Sequence, residues 1–172
     1  MKNAPVSRRD LFNRLRGSAP LLRPPWSRPE QQFNEICNAC GDCISACPAG
    51  ILVSGRAGLP IVDFVRGACT FCAACADACA NGCFVARDAA NRPWTLTARI
   101  APSCLELQGV ACRVCQDSCE ASAISFRPLL GGRFEPVICQ DACTGCGACL
   151  AACHVAAIAI SERQTPAEEI RA

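Results

Sequence analysis

Long apolar runs are missing from this 172-residue chain. No stretch of 18 apolar residues occurs, so no transmembrane helix is expected. Large core-forming side chains are also scarce. Leu, Ile, Val and Phe together number 38 of 172, or 22%, near the level at which chains fail to fold unaided. The hydrophobic fraction of 51% hides this, because cysteine supplies 18 and alanine 29 of those residues. There is one histidine, His154. No P-loop, Rossmann glycine run or hydrolytic triad is present, so the chain is not read as an enzyme by itself. No nucleic-acid partner is expected either.

What is abundant is cysteine. In a secreted protein 18 cysteines would suggest a disulfide scaffold. Here the spacing is too regular for that. Cys37-Asn38-Ala39-Cys40-Gly41-Asp42-Cys43-Ile44-Ser45-Ala46-Cys47-Pro48 is C-x2-C-x2-C-x3-C-P, the run that holds a 4Fe–4S cluster in bacterial ferredoxins. Each iron of the cube needs one thiolate. Three closely spaced cysteines wrap one side, and the fourth points away toward a second cluster. Zinc uses two separated CxxC pairs to build one tetrahedron, and four cysteines within eleven residues fit it poorly. The thiols must stay reduced until the cluster is inserted, which favours the cytosol. The metal-free chain is expected to be largely disordered, because the clusters must supply much of the core.

The motif repeats. The second copy is Cys69, Cys72, Cys75 and Cys79, and the fourth is Cys143, Cys146, Cys149 and Cys153. Between them lies an irregular copy, Cys104, Cys112, Cys115 and Cys119, whose first gap is seven residues instead of two. The loop 105–111 must bulge there. Sixteen cysteines in four sets match four 4Fe–4S clusters, with the three regular copies the firmest sites. Only Cys47 is followed by proline; Ala80, Glu120 and His154 stand in that place elsewhere. Each copy reads as a cysteine loop, one or two helical turns and a short strand. The strands are Ile51–Val53, Phe84–Val85, Ile124–Phe126 and Ile158–Ile160, with further candidates at Ile61–Val65 and Pro136–Cys139. The fold class is α+β, with tandem two-cluster ferredoxin-like domains at 32–93 and 94–162. A nested pairing of copies one with four and two with three is the alternative. Under tandem pairing the fourth cysteines cross over: Cys79 joins Cys37, Cys40 and Cys43, and Cys47 joins Cys69, Cys72 and Cys75. Likewise Cys119 joins Cys143, Cys146 and Cys149, and Cys153 joins Cys104, Cys112 and Cys115. Cys83 and Cys139 are left over and read as small buried hydrophobes, a redox thiol or substitute ligand being the sharper alternative. His154 reads as an incidental neighbour of Cys153.

Residues 1–31 form a basic, proline-punctuated arm, and 163–172 a tail. Residues 1–29 carry Lys2, Arg8, Arg9, Arg14, Arg16, Arg23 and Arg28 against Asp10, a charge of +6, while the rest of the chain carries −4. Ser7-Arg8-Arg9-Asp10-Leu11-Phe12 resembles a twin-arginine signal. The apolar segment that export requires does not follow it. A short amphipathic helix is expected instead, with Ser7 as N-cap and Leu11, Phe12 and Leu15 on one face. Arg23-Pro24-Pro25-Trp26-Ser27 then reads as an extended link.

The head, Ser7-Arg8-Arg9 and Arg23-Pro24-Pro25-Trp26-Ser27, and the irregular segment Gly109-Val110-Ala111-Cys112-Arg113-Val114-Cys115-Gln116-Asp117-Ser118-Cys119 with Ala123–Pro128 carry a family resemblance. The chain resembles the ferredoxin-type accessory proteins of the periplasmic nitrate reductase system over nearly its full length. The resemblance implies a cytoplasmic iron–sulfur protein. It also implies binding to the precursor of the nitrate reductase catalytic subunit before export, and help in its maturation through electron transfer or cluster assembly. In that family the three regular motifs are the assigned cluster sites. An electron-transfer subunit between a quinol or donor complex and a molybdenum oxidoreductase is the other function class open to such a chain.

Overall fold

Each cysteine loop ends in a single helical turn whose buried residue is the third cysteine of its set. The computed structural model describes residues 22–87 and 92–163. Its helices are α1 (Glu30–Ile36), α2 (Asp42–Ser45), α3 (Ala74–Asp77), α4 (Val114–Asp117) and α5 (Ala148–Ala152). Cys43, Cys75, Cys115 and Cys149 are the buried residues of the last four. Helices of four or five residues do not persist alone, because the cost of nucleation is not repaid. Their geometry is imposed by the loop and the core.

The sequence writes that loop geometry locally. In the regular copies the residues on either side of the second cysteine both adopt left-handed backbone: Ala39 and Gly41, Phe71 and Ala73, Gly145 and Gly147. The irregular copy lacks this pair, and Arg113 after Cys112 has φ −129°. All four copies share a left-handed residue three positions after the fourth cysteine, at Gly50, Gly82, Ser122 and Ala156. That residue turns the chain from the helix into the following strand.

The strands pair as three antiparallel ribbons. β1 (Leu52–Ser54) pairs with β2 (Pro60–Val62), and β4 (Ile124–Pro128) with β5 (Phe134–Ile138). β3 (Leu96–Ile100) pairs with β6 (Ile158–Glu162), in the register Ala98↔Ile160. Strand β3 and helix α1 are absent from the sequence reading. Glu30–Ile36 offers one core residue, Phe33, and so no apolar periodicity, while Leu96–Ile100 carries Thr and Arg among its apolar positions. The strand expected at Phe84–Val85 is reduced to an isolated bridge, Ser27↔Phe84.

That bridge ties the end of the arm to the body. Residues 22–29 are not free of the body. Arg28 N–H donates to the Cys83 carbonyl and Val85 N–H to the Trp26 carbonyl, at 3.0 and 2.8 Å. This short ladder does in the first half what β3–β6 does in the second. The Leu22 carbonyl accepts from Val62 N–H at 2.8 Å, and Pro24 is fully buried. Arg23 pairs with Glu30 at 2.7 Å and lies 5.1 Å from the centre of the Phe33 ring. A rigid φ at proline and a planar guanidinium over an aromatic ring both favour packing over solvent. Residues 1–21, with the amphipathic helix expected there, and the tail beyond Arg163 lie outside the described residues.

One core serves both halves. Cys43, Ile51, Leu52, Val62 and Phe64 pack in the same cluster as Leu96, Ala98, Ile124, Ile158 and Ile160. Trp94 stands edge-on to Phe64 and to Phe71, with ring centres 5.7 and 5.5 Å away, and its indole N–H donates to the Arg23 carbonyl.

Candidate iron–sulfur sites

The fold brings the cysteines together in crossed sets. Cys37, Cys40, Cys43 and Cys79 line one cavity. Cys47, Cys69, Cys72 and Cys75 line a second. Cys104, Cys112, Cys115 and Cys153 line a third, beside Ile100, Leu105 and Ile158. The fourth set shows in the electrostatics of Cys149, whose thiol is raised by burial and then by Cys146, Cys143 and Cys119, ahead of Cys115 of the neighbouring set. The arrangement is tandem: loops one and two exchange fourth cysteines, and so do loops three and four.

Burial is the main influence on these thiols. It pushes Cys43 up to about 11, with Cys37, Cys79 and Cys40 adding to the rise. Cys75 is pushed up to about 12 by burial and then by Cys69, and Cys149 to about 12 by burial and then by Cys146 and Cys143. Cys115 is raised by burial and by Cys104. A buried, crowded thiol resists losing its proton unless a cation takes the proton's place, so metal uptake must release protons here.

The donor sets fit an iron–sulfur cube. Thiolates are soft ligands, suited to such clusters. Among the described residues, no three His, Cys, Asp or Glu groups gather to hold a single metal ion. Four sulfurs on one zinc ion, each about 2.3 Å from it, would lie within about 4 Å of one another. Here three of the sets are spread around cavities. Backbone amides also point at sulfur. Phe71 N–H reaches Cys69 Sγ at 3.4 Å, and Ala123 and Ala157 N–H reach Cys119 and Cys153 Sγ at 3.3 Å. Such hydrogen bonds stabilise thiolate charge and help set the reduction potential.

The irregular copy closes through a residue that the sequence reading passed over. Glu106 is 93% buried within the bulge, and its carboxylate accepts the Cys112 N–H at 2.8 Å. Gln108 N–H donates to Cys104 O and Val110 N–H to Leu105 O, so the extra residues stack as turns. The long gap is thereby taken up, and Cys104 stays with Cys112 and Cys115. The one signal in the sequence was an acid inside an otherwise uncharged loop.

The spare cysteines divide. Cys83 is buried as expected, at 2% exposure, and it lies on the wall of the first cavity. Burial pushes its thiol up to about 12, with hydrogen bonds to Cys79 and Cys37 contributing. Cys139 is exposed, which corrects its reading as a buried filler. It sits one residue past β5, where its N–H still donates to the Ala123 carbonyl while its side chain faces outward. His154 is on the rim of the third cavity.

Comparison with known proteins agrees with this architecture. Two family models, each described as a 4Fe-4S dicluster domain, match residues 36–84 and 110–157. The ferredoxin-type protein NapF of Escherichia coli K12 is 46% identical over 154 residues, covering 89% of this chain and 93% of the relative. NapF of Haemophilus influenzae is 47% identical, covering 82% and 79%. The methylamine utilization ferredoxin-type protein MauM of Methylorubrum extorquens is 32% identical, covering 84% and 73%. With its paired dicluster segments and this likeness along most of its length, the chain belongs to the NapF family of ferredoxin-type iron–sulfur proteins.

Proposed function

We propose that the sixteen cysteines of the four crossed sets hold four 4Fe–4S clusters. We propose further that the protein binds the cytoplasmic precursor of the periplasmic nitrate reductase catalytic subunit and assists its maturation. The observation that carries this reading is the 46% identity to a NapF protein over 89% of the chain. The crossed sets support the ligand assignment, because each gathers four thiols from two loops. Once bound, a cluster takes up and releases one electron at a time. The chain's own residues do the rest. The left-handed pairs turn each regular loop around its site. The amides of Phe71, Ala123 and Ala157 hold sulfur charge. Ile51, Leu52, Ile100 and Ile158 shut water out of the cavity walls.

The domain division is proposed to lie near residue 93, with residues 22–31 counted with the first dicluster unit. Residues 1–21, which carry five basic side chains against Asp10, are proposed as the docking arm. A basic segment with apolar anchors gains encounter rate from charge and hold from burial. The cytoplasm is the proposed location, since sixteen ligand thiols must stay reduced until they are loaded. No helix of the described residues is long and apolar enough to cross a membrane.

A second reading, an electron-transfer subunit for a molybdenum oxidoreductase, is favoured by the likeness to MauM, a ferredoxin-type protein of methylamine utilization. The deciding experiment is anaerobic capture of the signal-bearing precursor and of the exported enzyme on the holoprotein, with iron, sulfide and zinc analysis of the bait. The proposal expects about sixteen irons per chain, since each cube holds four, and capture of the precursor. Capture of the exported enzyme alone would favour the second reading. Zinc with little iron would overturn both.

A further inference from the structure

The two dicluster units meet at a hydrogen bond between two cysteines. Cys69, first in the second loop, donates its backbone N–H to the carbonyl of Cys146, second in the fourth loop, at 2.8 Å. The contact is clamped on both sides. Phe64 of the first unit lies against Gly147, and Leu96 of the second against Gly145. Trp94 holds Phe64 and Phe71 in place edge-on.

Inside each unit the sets are neighbours because the loops exchange fourth cysteines: Cys79 lines the first cavity and Cys47 the second, and Cys153 lines the third. Joined through the Cys69–Cys146 hydrogen bond, the four sets follow in the order first, second, fourth, third.

We infer that the Cys69–Cys146 contact joins the two dicluster units into one continuous electron path. Its ends are the Cys37/Cys40/Cys43/Cys79 set and the Cys104/Cys112/Cys115/Cys153 set. The inference rests on the proposed reading that the sets hold clusters. Each transfer along the path moves one electron. The reduced site loses it and the oxidised site gains it, with no bond made or broken and no proton moved. Electrons enter at one end from a one-electron donor of the flavin or iron–sulfur class. They leave at the other to a one-electron acceptor on the partner. The physical reason is coupling: a peptide hydrogen bond directly between two ligand residues offers a shorter route than any gap through solvent. A protein with two separate two-site carriers would have no need of this contact.

The test uses the holoprotein with one outer ligand removed from each end, Cys40→Ala together with Cys112→Ala. Only the second and fourth sets should then remain loaded, one in each unit, and iron should fall to about eight per chain. With both remaining sites fully reduced by a photochemical flavin reductant, low-temperature electron paramagnetic resonance should show split, broadened signals from two interacting spins. Two unsplit signals at that iron content would overturn the inference. Should the double variant assemble poorly, the single variants decide the question. In Cys40→Ala the second set has no loaded neighbour in its own unit, so any splitting of its signal must come from the fourth. In Cys112→Ala the converse holds. Unsplit signals there would equally overturn the path. Iron that does not drop by about four for each outer ligand removed would refute the ligand assignment itself, whatever the spectrum shows.

Discussion

Gly147 lies flat against the ring of Phe64: a methyl group at its Cα would fall 2.1 Å from Cδ1. Gly147 also has φ +85°. Gly147→Ala should therefore both strain the backbone and push Phe64 out of the junction. Overpacking of this kind costs about 1–3 kcal/mol. The left-handed backbone adds about 1–2 kcal/mol for a residue with a Cβ. The expected outcome is a clear drop in the temperature at which the holoprotein's visible absorbance is lost. Gly41→Ala, at a matching loop position where a methyl group meets nothing within 4 Å, should show only the backbone part. Equal losses from the two variants would mean that Phe64 does not press on Gly147 in solution.

The strap formed by residues 22–29 separates two truncations. Deleting 2–21 should leave iron content intact and weaken capture of the precursor, more so at low salt, because exposed charges are screened over about 10 Å at 0.1 M. Extending the deletion to residue 29 removes the Ser27↔Phe84 bridge, buried Pro24 and the Trp26–Phe71 contact. That longer truncation should lose iron and unfold at a lower temperature. Iron analysis of both forms checks this, and full retention by the longer one would return residues 22–29 to a free arm.

Cys83 gives a prediction with a defined pH window. Its folded-state thiol is raised from the ordinary 9.0 to about 12, chiefly by burial. A raised folded value means that the folded state holds the proton more tightly than the unfolded chain does. The associated stability is complete below pH 9 and is lost as pH rises from 9 toward 12. Cys83→Ala should therefore flatten the fall in stability over that window. Its iron content should stay unchanged, and Cys139→Ala, at an exposed position, should change neither. A loss of about four irons in Cys83→Ala would make Cys83 a ligand.

Glu106 supports the irregular loop. Glu106→Ala leaves the Cys112 N–H without its acceptor, and an unsatisfied buried donor costs about 1–3 kcal/mol. Iron should fall from about sixteen toward about twelve as the third site empties. Glu106→Gln keeps a carbonyl acceptor and should restore the iron. Loss in both variants would show that the carboxylate charge, and not the hydrogen bond, is what the site needs.

The arginine pair at Arg8 and Arg9 has no apolar segment behind it, so residues 1–31 should not direct export. A reporter active only in the periplasm, fused after residue 31, should stay silent. A signal that disappears on replacing both arginines would overturn the proposed cytoplasmic location.

Sequence alone determined the four cysteine loops, their helical turns and the strand candidates that pair as β1–β2 and β4–β5. These are local matters. A cube demands closely spaced thiolates, and the left-handed turns that shape the loops are written within a few residues of each cysteine. The pairing of the loops was decided only in three dimensions, because tandem and nested arrangements satisfy the same spacings. Tertiary structure alone turned Arg23-Pro24-Pro25-Trp26 from a link into a strap, since a stretch rich in proline and arginine gives no sign of the aromatic rings that will receive it. It also separated Cys83 from Cys139, two spare cysteines with similar apolar neighbours in sequence. Their fates differ because one faces a cavity shared with another loop and the other faces outward past the end of a ribbon. The junction of Cys69 with Cys146 was invisible for the same reason: the partners are 77 positions apart, and only the common core brings them within 2.8 Å.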